Sequence, residues 1–136
     1  MAKSSKSSKQ RKSQFNAPMH VRRKRMSARL QLDKPDERLA GIRSVTVRIG
    51  DTVRVVRGDH AHGGKRVGGK RKTNPLVGKV VSLNIDTGRL IIEGATSVKA
   101  DNKEEALPIH CSNVVVTRLD ETDKLRMQKL TGRGSE

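Results

Sequence analysis

Aromatic residues are almost missing from this chain: Phe15 is the sole one, and there is no Trp or Tyr among 136 residues. The rings that dominate most cores are absent, so a core has to be assembled from Val, Ile and Leu. It will be small, because hydrophobic residues make up only 32%, and a core that size is marginal without a partner. The same lack removes the series of stacking surfaces that holds splayed single-stranded nucleic acid. Cysteine is scarce too. Cys111 stands alone, can form no internal disulfide, and fits a reducing, intracellular setting. No apolar run reaches the ~18 residues of a membrane-spanning helix. The opening stretch "MAKSSKSSKQRK" lacks the apolar centre of a secretory signal.

Acid is the last shortage, and it turns attention to what is present. Thirty Lys and Arg face fourteen Asp and Glu, a formal charge of +16. Such an excess opposes compaction by self-repulsion and calls for a polyanion. The charge is segmented. Residues 1–29 carry ten basic residues and no acid, and residues 51–80 carry eight against Asp51 and Asp59. The rest of the chain is close to balance. Two basic segments separated by a less charged stretch suit two contact surfaces on one extended polyanion.

The length suits one small domain with extensions. Residues 1–13 are Ser/Lys-rich and expected to be disordered until bound. "NAPMHVRRKRMSARL" reads as the start of a short helix with Asn16 as cap and Pro18 in the first turn. "KPDERLAG" reads as a helical turn stopped by Gly41. From residue 45 the period changes to two: "VTVRI" and "TVRVV" are split by a turn at Gly50-Asp51. "GKVVSLN" and "RLIIEG" flank the turn Asp86-Thr87-Gly88, and "VVVT" at Val114–Thr117 is the last strand. Five short strands with tight turns suggest a small antiparallel barrel. "DETDKLRMQKL" reads as a helix capped by Asp120, with Asp123 in its first turn.

One motif invites a catalytic reading. Gly64-Lys65-Arg66-Val67-Gly68-Gly69-Lys70-Arg71 runs one residue short of the phosphate-cradling pattern G-x-x-x-x-G-K-[ST]. That loop works when a buried strand ends at the glycines and a helix begins after the Lys, so that amides converge on the phosphates. Here polar "RGDHAH" precedes the glycines, Arg71 stands at the Mg²⁺-ligand position, and Lys72-Thr73-Asn74-Pro75 cannot open a helix there. Nucleotide hydrolysis is not expected. The segment is better read as flexible glycines carrying Lys65, Arg66, Lys70, Arg71 and Lys72 to a nucleic-acid backbone. His60, His62 and the pair His110-Cys111 match no standard zinc spacing. No nucleophile–base grouping is visible, so neither an enzyme, a metal nor another cofactor is expected.

"VRIGDTVRVVRGD" followed by "GKVVSLNIDTGRLIIEG" resembles the KOW motif of small SH3-like barrels. With "QRKSQFNAPMHVRRKRMSARL" before it and "LPIHCSNVVVTRLDETDKLR" after it, the chain resembles the archaeal and eukaryotic branch of the universal ribosomal protein L24 family, L26 in eukaryotes, over roughly residues 9–130. One departure matters: the family passes from "RGD" to "GKV" in a handful of residues, whereas eighteen intervene here, His60 to Val77.

The resemblance implies a mainly β fold: a basic N-terminal extension with short helices (1–44), an SH3-like barrel with an inserted basic loop (45–118, loop 60–77) and a C-terminal helical tail (119–136). It also implies a cytoplasmic ribosomal protein that binds large-subunit rRNA near its 5′ domain, close to the polypeptide exit, acts early in assembly, and meets neighbouring ribosomal proteins but no membrane or small-molecule substrate. The lack of aromatics independently favours folded RNA held through phosphates, 2′-hydroxyls and shape. The candidate RNA-binding residues are Lys9, Arg11, Lys12, His20, Arg22, Arg23, Lys24, Arg25, Arg29, Arg54, Arg57 and Lys79, together with the five basic residues of the glycine-rich loop. A KOW-type transcription elongation factor and a DNA-compacting protein are the alternatives. The first would bring a further domain for polymerase contact, and the flanking motifs oppose the second.

Overall fold

The computed structural model describes residues 3–61 and 75–134. In chain order the elements are α1 (Ser7–Phe15), α2 (Met19–Arg25), β1 (Ser27–Leu30), a 3₁₀ turn at Glu37–Leu39, β2 (Ser44–Thr46) and β3 (Thr52–Val55). There follow β4 (Val77–Asn84), β5 (Arg89–Ile92), β6 (Thr96–Val98), β7 (Glu104–Ala106), β8 (Ile109–His110), a 3₁₀ turn at Cys111–Asn113, β9 (Val114–Arg118) and α3 (Lys124–Gly134). The fold is mainly β, with a C-terminal helix and a few short helices. None of the described helices is long and apolar enough to cross a membrane.

The most local element forms as its sequence dictates. Asn84 Oδ1 accepts hydrogen bonds from the amides of Asp86 and Thr87, and Gly88 takes the positive φ (+68°) that closes the turn. β4 and β5 then pair antiparallel, Leu83 opposite Leu90 and Asn84 opposite Arg89. β9 likewise forms where its apolar run stands.

Other pairings are non-local. The sheet order is β2-β1-β9-β3-β4-β5-β8, while β6 and β7 form a separate two-stranded ribbon. Among the described residues no pairing joins β2 to β8, so the seven strands form an open series. The two alternating stretches around Gly50 are not partners of each other. β2 pairs with β1, and β3 pairs with β9 and β4. Gly50, at φ +93°, turns a corner, and its amide bonds to the carbonyl of Val80 instead of closing a hairpin. β1 lies inside the stretch read as a basic extension and runs parallel to β9, Leu30 beside Val116. Its "SARL" is too short and too basic to announce a strand.

Two further local expectations are corrected, and the segment expected to order on binding is given a conformation. Residues Ser7–Phe15 are helical in the structure, although no residue of that helix is buried and no side chain caps it. Asn16 is not the cap of α2. It closes α1, its amide bonding to the carbonyl of Lys12, and Pro18 takes the N-cap position of α2. The cap of α3 is Asp123, which accepts from the amides of Leu125 and Arg126 at 3.0 and 3.2 Å, while Asp120 accepts from Thr122.

The core is aliphatic, as the composition requires. Val47, Val53, Val55, Val80, Leu90, Ile92 and Val116 are its largest fully buried apolar side chains, with Met26 and Leu39 packed into the same cluster. Each such burial stabilises by about 1.5–3 kcal/mol. One polar pair joins the sheet to α3. Arg126 donates from Nη1 and Nη2 to both carboxylate oxygens of Asp51 at 2.7 Å, and both residues are buried. The amides of Arg48 and Asp120 complete the carboxylate's shell at 2.9 Å, and Arg126 also donates to the carbonyl of Thr46.

Candidate nucleic-acid interface

Two basic surfaces emerge from these elements. The first is built by α1 and α2. Lys9, Arg11 and Lys12 are exposed on α1, as are His20, Arg23, Lys24 and Arg25 on α2. Four successive cations fill the last turn of α2, where they also favour the negative end of the helix dipole. Both helices are anchored at a few points only: Ala17 between them and Met26 after α2 are buried. Arg22 braces the arrangement. Its guanidinium donates to the carbonyl of Phe15, at the end of α1, and to Asp86 in the β4–β5 turn.

The second surface is the outer face of the sheet. Register places Arg29 of β1 and Arg54 of β3 on either side of Val115 of β9, and Val77 of β4 opposite Arg54. Lys79, two residues on, lies opposite Thr52 on the same face. Paired residues project from one side of a sheet, so Arg29, Arg54 and Lys79 stand on a single face while Ala28, Val53, Val80 and Val116 fill the other. Arg54 is held by Gln31, Nη2 to Oε1 at 3.1 Å. Arg57 is exposed, and the groove beside it is lined by Ser27, Arg29, Gln31 and Ser112. Charge counting could not have found Gln31 and Ser112, neutral groups brought there by β1 and the 3₁₀ turn before β9.

Apart from Asp86, which Arg22 holds, acid gathers elsewhere. A separate groove between the 3₁₀ turn Glu37–Leu39 and the end of β9 is lined by Asp33, Asp36, Glu37 and Glu121 beside Lys34, Arg38 and Arg118. The hydrogen bond from Arg38 lowers the carboxyl of Asp36 below its ordinary range. Glu104 and Glu105 lie on the exposed β6–β7 ribbon, where Glu105 pairs with Lys99 at 2.7 Å.

Lys65, Arg66, Lys70, Arg71 and Lys72, and with them the near-match to a phosphate-cradling loop, lie outside the described residues, as does His62. The strand before that segment, β3, is antiparallel to both its neighbours, and β4 starts after it at Val77. Among the described residues no group of three or more His, Cys, Asp or Glu side chains could hold a metal ion. His110 Nδ1 accepts from the amide of Ser112, and the buried Cys111 thiol is pushed upward by desolvation.

The sequence profile of the ribosomal proteins called L26 in eukaryotes and L24 in archaea matches residues 4–133. The large ribosomal subunit protein uL24 of Saccharolobus solfataricus is 42% identical over 125 residues, covering 92% of this chain and 92% of that protein. Its counterpart from Methanosarcina barkeri is 38% identical over 122 residues (90% and 92%), and that from Korarchaeum cryptofilum is 39% identical over 132 residues (97% and 89%). The chain thus belongs to this family of eukaryotic L26 and archaeal L24 ribosomal proteins, as a structural constituent of the ribosome and not an enzyme.

Proposed function

We propose that this protein binds large-subunit rRNA through its two basic surfaces, gripping phosphates and 2′-hydroxyls of folded RNA. The carrying observation is the distribution of charge: a segment of 29 residues with ten cations and no acid leads into a sheet face bearing Arg29, Arg54 and Lys79. The relatives' names place them in the large ribosomal subunit, which supports that subunit's RNA and proteins as the partners, on cytoplasmic ribosomes. The family resemblance further supports a position close to the polypeptide exit and a role early in assembly. It also supports reading β2 to β5 and β9 as the strands of a KOW-type, SH3-like barrel. The basic residues between Gly63 and Thr73 would add contacts to the same RNA.

Sedimentation of ribosomes from cells carrying the untagged protein, in high salt, tests this reading. The protein should remain with the large subunit. Its appearance with RNA polymerase or with bulk DNA would overturn the proposal.

A further inference from the structure

The sole aromatic side chain is not in the core. Phe15 is 73% exposed, at the last position of α1. It lines a groove whose floor is apolar, formed by Met26, Ile85 and Cys111, and whose rim carries Arg22, Arg25 and His110. Asp86, the one acid among the lining residues, is already paired with Arg22. Two rim side chains keep a nitrogen unpaired among the described residues, on Arg22 and on His110. Arg22 Nε has no hydrogen-bond partner among the described residues, and it is itself buried. His110 turns Nδ1 toward Ser112 and Nε2 toward Gly88 in the groove wall.

We propose that this groove is a site for one unstacked RNA nucleotide, its base lying on the Phe15 ring and its polar edge or phosphate accepting from Arg22, Arg25 and His110. The inference rests on the RNA-binding reading above and adds the place where a base, not only a backbone, is held. A flat apolar ring beside cationic donors, on a segment with no acid before Asp33, suits an anionic, π-faced ligand. A neighbouring protein's apolar side chain would match the floor and the ring but leave Arg25 without a counter-charge. The scarcity of aromatics still excludes an extended platform. It does not exclude a single stacking site.

The test uses the full chain with an RNA hairpin carrying one unpaired 2-aminopurine, and the same hairpin fully paired. The intact protein should quench the bulged fluorophore and prefer the bulged hairpin. Phe15→Leu, exposed and safe for folding, should weaken bulge binding about 5- to 150-fold and abolish the quench, whereas Phe15→Tyr keeps both. Affinity for the paired hairpin should be the same in all three. Unchanged quench and preference in Phe15→Leu would overturn the stacking site and leave Phe15 to a protein neighbour. Failure of the intact protein to bind either hairpin would overturn the RNA-binding reading itself.

Discussion

At the scale of single residues, the Asp51–Arg126 pair ties the C-terminal helix to the sheet. Removing two charges from water is expensive, and the bidentate geometry with three further backbone partners is what offsets that cost. Arg126→Met would leave a buried carboxylate with two amide donors and no counter-charge. It should destabilise the protein by about 3–5 kcal/mol, read as a lower urea midpoint with an unchanged slope. Asp123 acts on the same helix differently. Its carboxyl is held below the ordinary carboxylate value, first by the amide of Arg126 and then by the Arg48 guanidinium. A depressed folded-state value means its contribution is complete above the unfolded value, near 3.8, and is lost as pH falls through the folded one. Thermal midpoints should therefore fall on acidification below about pH 4, and less so in Asp123→Asn.

At the scale of elements, what the sequence discloses depends on distance along the chain. The β4–β5 hairpin is legible because Asp86-Thr87-Gly88 is local turn chemistry between two apolar runs. The parallel β1–β9 pairing is not, because its partners are 86 residues apart at Arg29 and Val115 and β1 has no alternation of its own. β6, β7 and β8 are missed for a related reason: β6 and β7 are exposed throughout and β8 has two residues, so no buried face imprints a period. α1 shows the limit from the other side. Nine residues with no buried side chain and no side-chain cap lie below the length at which an isolated helix is stable in water. Amides of Ser7–Phe15 should exchange in the free protein at close to open-chain rates and gain protection on RNA. Strong protection in the free protein would contradict that.

At the scale of the whole molecule, the charge segments were legible from counting, but their arrangement was not. Arg29, Arg54 and Lys79 come together through the β1–β9–β3–β4 order, and only Lys79 and Arg54 share a pairing between consecutive strands. The same order shows where the glycine-rich segment can be cut. His60 and Leu76 are joined by a backbone hydrogen bond of 3.0 Å, and Val55 bonds to Leu76 at 2.9 Å. Replacing residues 62–74 by two glycines should therefore leave the fold intact, since a shorter loop costs less entropy to close. It should also make RNA binding less salt-sensitive, the slope changing by about 1 for each lost phosphate contact. The central claim is that phosphate neutralisation by the two basic surfaces holds this protein on its RNA. It is tested most directly by measuring affinity for large-subunit rRNA across a salt series. Neutralising about six phosphates predicts a slope of log affinity against log salt of about −4 to −5, and a slope near zero would contradict it.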